Sequence, residues 1–119
     1  MDSMKFKKAL LGVGMFAFVE SASAAFVCSG EVEAIGIDPP SGMLSVNTGH
    51  GMHFLCNLNQ EANGVSANVC QAWYSMFLSA QASGRPVIQS YQDAAGKNCG
   101  NLGSWVVPDP FPYHVELHK

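Results

Sequence analysis

The clearest pattern of apolar and polar positions lies between Ser66 and Gln92. Val69, Trp73 and Phe77 recur every four residues, and Cys70, Tyr74 and Leu78 repeat the spacing one step later. Side chains so spaced share one broad stripe of an α-helix. The spacing predicts a helix over 66–83, with Ser66 or Asn68 as its N-cap, Gly84 at the position of a C-terminal glycine and Pro86 as a stop. Residues 86–92 then read as a strand.

Ahead of the helix the period changes from four to two. Over 27–37, Val32, Ala34 and Gly36 alternate with Glu31, Glu33 and Ile35, which predicts one strand with a polar face and a bend or bulge at Gly36. Asp38-Pro39-Pro40-Ser41-Gly42 is a turn, 43–46 a second strand, 47–51 another turn and 52–58 a third strand. Three such segments in succession read as an antiparallel meander. A polar loop over 57–64 leads into the helix. Beyond the strand that follows the helix, 93–103 reads as a long flexible connection, and 104–107 and 113–117 as short strands. Between those two, Pro108, Pro110 and Pro112 hold their segment extended.

Three strands, a helix and two further strands is the order of a five-stranded OB-like barrel, whose helix lies between strands three and four. The expected fold is therefore α+β: a small, closed, antiparallel OB-like barrel with one helix. Another small α+β sandwich shares the order.

The N-terminus stands apart from this pattern. Lys5, Lys7 and Lys8 precede an apolar run from Ala9 to Val19, and Ala22-Ser23-Ala24 supplies small residues for cleavage. Residues 1–25 thus read as a secretory signal peptide, with a second start at Met4, and 26–119 as a single domain. The apolar run is shorter than the roughly 20 residues that span a bilayer. Ala25-Phe26-Val27 lacks a lipoprotein pattern ahead of Cys28. The expected address is periplasmic or secreted.

A mature chain of roughly 94 residues buries only about 60–65 per cent of its unfolded surface, so covalent support is expected. Cys28, Cys56, Cys70 and Cys99 supply it as two disulfides, with no Cys-x-x-Cys spacing to suggest zinc. Of the three possible pairings, Cys56–Cys70 staples the third strand to the helix and leaves Cys28–Cys99. Without the leader, seven acidic residues face Arg85, Lys97 and Lys119, a net charge of −4. That balance disfavours nucleic acid and anionic membrane surfaces alike.

Candidate chemistry is sparse. His50 and His53 flank a glycine-rich turn, and His114, Glu116 and His118 alternate along the last strand. Imidazole and carboxylate are zinc or copper ligands, but if Tyr113, Val115 and Leu117 face the core, alternation alone puts these histidines in solvent. The reading is no metal and no cofactor. No Gly-x-Ser-x-Gly elbow marks a nucleophile, and Glu31 with Glu33 is most simply a solvated face, so no enzyme is expected. Trp73, Tyr74 and Phe77 read as core. Trp105, Phe111 and Tyr113, set among prolines, are the candidate binding residues, able to stack on sugars or on a partner protein, or else to lid a thin barrel. The helix carries no charged residue between Glu61 and Arg85. A solvated helix face normally does, so a partner, such as a second copy of the chain, is expected over helix 66–83.

The run from Ala72 to Val87, with a Cys-bearing early strand and a cysteine before the helix, resembles the small secreted binding subunits of bacterial AB-type toxins of the pertussis-like and subtilase-cytotoxin-like branch. The pattern Cys70-Gln71-Ala72-Trp73-Tyr74-Ser75, with Trp105-Val106-Val107-Pro108-Asp109-Pro110, is similar to uncharacterised small secreted proteins of Gram-negative bacteria. The toxin likeness implies an OB barrel, a ring of subunits and a glycan-binding face, with none of the family's sugar-binding residues assignable here. The functional expectation is a secreted, disulfide-bonded, non-enzymatic binding module for a glycan or an envelope or host protein. The alternatives are a periplasmic inhibitor or protein-interaction protein acting through Phe111 and Tyr113, and a small hydrolase using Glu31, Glu33 or the histidines.

Overall fold

Local signals bracket the helix strongly, and they hold in a computed structural model that describes residues 25–119. The signal-peptide reading falls, through residue 24, outside the described residues. Helix α1 runs Ala67–Ser83; Ser66 Oγ accepts the Val69 amide at 3.2 Å, and Gly84, at φ 68°, donates its amide to the Ala80 carbonyl. Its buried stripe is narrower than the four-residue repeats suggest. Cys70, Phe77 and Ala80 are buried and Trp73, Tyr74 and Met76 half-buried, while Val69 and Leu78 stay 45% and 42% exposed.

The stretch 27–37 is two strands, not one. β1 (Phe26–Gly30) and β2 (Ala34–Ile37) are separated by Glu31-Val32-Glu33, with Val32 buried between two exposed glutamates. β1 pairs antiparallel with β5 (Val87–Tyr91), which pairs with β6 (Pro112–Leu117). β2, β3 (Met43–Asn47) and β4 (Met52–Asn57) form the antiparallel meander. Among the described residues the architecture is two three-stranded sheets, β1-β5-β6 and β2-β3-β4, with one helix. This corrects the five-stranded OB-like barrel. The chain changes sheet within three residues without breaking its alternation, because both sheets ask for the same period of two. At the crossing Gly30 passes so close to the meander that a Cβ there would strike the Thr48 carbonyl oxygen.

Each sheet contains a β-bulge. In the first, Tyr91 faces Pro112 and Ser90 faces His114, which leaves Tyr113 without a partner. Tyr113 is consequently 55% exposed, correcting the expectation that it faces the core. The segment 104–107 is not a strand: Val106 makes a single parallel bridge to His53. Nor is 93–103 a loose connection, since the Lys97 amide bonds the Ala94 carbonyl and the Asn101 side chain bonds both the Asn98 amide and the Gly96 carbonyl.

The main core joins Leu44, Val46, Leu55, Phe77, Val87 and Val115 around the Cys56–Cys70 disulfide. A smaller cluster packs Tyr91 and Leu102 around Cys28–Cys99, with Phe26 stacked on Tyr91 at 4.9 Å. Between the sheets, Thr48 donates a buried hydrogen bond to Gln89 Oε1 at 2.9 Å. With every cysteine bridged, the chain belongs to an oxidising compartment, extracellular or periplasmic. Among the described residues no helix is long and apolar enough to cross a membrane.

Candidate functional site

Where the start of α1 meets the start of β6, the surface opens into a groove of about 510 Å³. Val69 and Trp73 of the helix line it together with Phe111, Pro112 and Tyr113, and Asn63, Gly64, Val65 and Ser66 of the preceding loop complete the lining. Three features of the fold build it. The Cys56–Cys70 disulfide and the Gln71 amide, bonded to the Leu58 carbonyl at 3.0 Å, hold the helix to the loop that follows β4. The Trp73 ring lies against Phe111, with centroids 6.3 Å apart and planes 22° from parallel. The bulge in β6 turns Tyr113 outward beside them.

The rim is fixed by local hydrogen bonds. Asn63, at φ 56°, donates from its side-chain amide to the Leu55 carbonyl at 3.1 Å, and Glu61 accepts the Gly64 amide at 2.8 Å. Ala62 and Val65 exchange backbone hydrogen bonds and close the loop. None of the nine lining residues carries a charge. The groove thus offers aromatic faces, one phenol, one amide and one hydroxyl, which suits it to hold a neutral ligand rather than to move protons or bind phosphate.

Trp105 lies elsewhere. The segment 102–108 forms a tongue along the N-terminal end of β4, the end opposite the one tied to the helix. The Trp105 amide donates to the Met52 carbonyl, the Phe54 amide to the Val106 carbonyl, and the Met52 amide to Ser104 Oγ at 3.0 Å. Gly51, at φ 106°, lets the tongue pass: a Cβ there would strike the Gly103 carbonyl oxygen. Trp105 itself has φ 61°, is 65% exposed and leans on Phe54 at 6.0 Å, with the ring planes 52° apart. A bulky residue in the left-handed region costs on the order of 1–2 kcal/mol.

Neither a family model, nor a curated protein, nor a solved structure matches this chain.

The structure brings Phe111 and Tyr113 into one site, sets Trp105 apart from them, and adds Trp73, Val69 and Asn63. Trp73 reads as core from its helical spacing; only the contact with Phe111, 38 positions along the numbering, turns it into a groove wall. The remaining candidates do not converge. His50 Nε2 lies 3.0 Å from the Ser29 carbonyl and His53 Nε2 3.1 Å from the Gly103 carbonyl. Burial holds the pKa of His53 below the usual imidazole value; the bond to Gly103 opposes the shift and His50 adds to it. His114 and His118 both face the Glu116 carboxylate, at 3.0 and 3.4 Å, on an exposed surface. Among the described residues no three histidine, cysteine or acidic side chains are arranged to hold a metal ion. Glu31 and Glu33 are exposed at the link between the sheets.

Proposed function

We propose that the chain is an exported, non-catalytic binding module, periplasmic or released, that seats a neutral saccharide on the aromatic surface formed by Trp73, Phe111 and Tyr113. The observation that carries this reading is an aromatic groove with no charged lining residue. Aromatic faces carry partial negative charge and attract the weakly positive C–H faces of a sugar ring; Asn63 and Ser66 in the lining supply polar partners for hydroxyl groups. The likeness to toxin binding subunits also favours a glycan, although it does not extend to their barrel.

Binding of the folded, oxidised chain to an array of neutral glycans tests the reading. Tyr113→Ala, at an exposed position, is expected to weaken the captured glycan by roughly tenfold while leaving the fold intact, a change of about 1.4 kcal/mol. An array with no neutral glycan bound, or capture that is indifferent to Tyr113→Ala and Phe111→Ala, overturns it. A periplasmic protein retained by the wild type and lost by Phe111→Ala would assign the groove to a protein partner instead. The uncharged outer face of α1, with Leu78 exposed, supports a second copy as its cover; light scattering that gives a strict monomer at high concentration removes that part.

A further inference from the structure

We propose that Trp105 is a second saccharide-stacking residue, on a seat separate from the groove. This extends the binding reading above and rests on it for the class of ligand. Trp105 contributes little to the packing of the fold. Its backbone sits in a region that bulky residues avoid, and its side chain remains 65% exposed. The strain therefore does not serve to place the indole in the core. Such conformations persist when the surroundings over-determine them, and they concentrate at binding sites.

The surroundings do over-determine it. Hydrogen bonds to Met52 and from Phe54 fix the tongue on both sides of Trp105, and His53, buried beneath, meets the Gly103 carbonyl. Phe54 supports the ring from one side and leaves the rest of it open. A ring held this way loses little freedom when a ligand stacks on it, so most of the contact energy appears as affinity. The tongue from Leu102 to Pro108 has no charged residue, so it shares with the groove a preference for neutral ligands. The Ser104 hydroxyl, which accepts from the Met52 amide, keeps its own proton to donate to a ligand oxygen. Two seats, one at each end of β4, would make the chain bivalent toward a polysaccharide and univalent toward a short oligosaccharide.

The chain has two tryptophans, one at each seat. Trp73→Phe leaves only the Trp105 indole to fluoresce, and Trp105→Phe leaves only Trp73. Each variant, checked for native circular dichroism, is titrated with cellohexaose, chitohexaose, maltohexaose and a soluble neutral β-glucan. The expected result is that Trp105 emission responds to at least one of these saccharides in the Trp73→Phe chain, and that Trp105→Ala weakens polymer binding by roughly tenfold or more while changing hexasaccharide binding in the groove less than twofold. A response from Trp73 with none from Trp105 overturns this proposal and leaves the groove reading standing. Silence from both indoles overturns both. A Trp105 indole shielded only by a co-purifying protein overturns the saccharide assignment in favour of a protein interface.

Discussion

The groove and the tongue are built from the same kinds of part in opposite ways. Each has a tryptophan, a disulfide and a cluster of buried side chains. The groove's tryptophan sits in a helix at the margin of the main core, and its disulfide joins cysteines 14 residues apart. The tongue's tryptophan sits on a strained backbone beyond the small Tyr91–Leu102 cluster, and its disulfide joins cysteines 71 residues apart. The groove is a by-product of packing a helix, whereas the tongue is held to β4 by backbone hydrogen bonds, the Ser104 hydroxyl and the His53 ring, with one long covalent closure just ahead of it at Cys99. Stability and exposed aromatic surface are thus divided unequally between them.

The disulfides give the largest test of that difference. Closure entropy grows slowly with loop length, so replacing Cys28 and Cys99 with alanine is expected to cost about 4 kcal/mol and replacing Cys56 and Cys70 about 3 kcal/mol. Urea unfolding of both double variants measures this. The reverse order would mean that the helix staple contributes chiefly through packing of the main core, and that the small cluster holds itself without its disulfide.

Next in size is the alkaline behaviour of the small cluster. Burial of Tyr91 pushes its pKa up to about 12, against about 10 in the unfolded chain. Below pH 10 the phenol is protonated in both states and nothing is lost. Between pH 10 and 12 the unfolded chain releases the proton while the folded one retains it, so stability falls by about 2 to 3 kcal/mol across that window. Tyr91→Phe is expected to flatten this part of the stability profile. Following single-tryptophan chains through the same window sharpens the comparison: simultaneous loss of both signals means one cooperative unit, and earlier loss of the Trp105 signal means that the tongue opens first.

What could be read in advance follows the same divide. The helix, its Ser66 and Gly84 ends and the Cys56–Cys70 staple rest on residues close in sequence, where propensity and spacing carry information. The split of 27–37 does not: Glu31-Val32-Glu33 alternates like any strand, and only the Val87–Tyr91 segment, some 60 positions on, claims Phe26–Gly30 for a different sheet. For that reason the strands form two sheets and not one closed barrel. The outward position of Tyr113 is set by a bulge, which is a matter of register against β5 and leaves no mark on the alternation of β6. Of the candidate binding residues, Phe111 and Tyr113 owe their common site to Trp73, a contact that helical spacing conceals. The left-handed φ of Trp105 has no local signal, since neither glycine nor asparagine occupies the position.

The smallest expected effect separates the two tryptophans most cleanly. Trp73→Ala removes a half-buried ring from the edge of the main core and should cost about 2 kcal/mol, below the 3 to 5 kcal/mol of a fully buried aromatic. Trp105→Gly also removes a ring, yet it replaces a strained residue with the one that takes a positive φ freely. The lost contact with Phe54 and the relieved strain are each on the order of 1 kcal/mol and opposite in sign. The expected net change is within about 0.5 kcal/mol of zero, measured by thermal and urea unfolding beside Trp105→Ala, which loses the same contact without the same relief. If Trp105→Gly proves as costly as Trp73→Ala, the indole is part of what holds the tongue to β4, and its exposure no longer argues for a ligand.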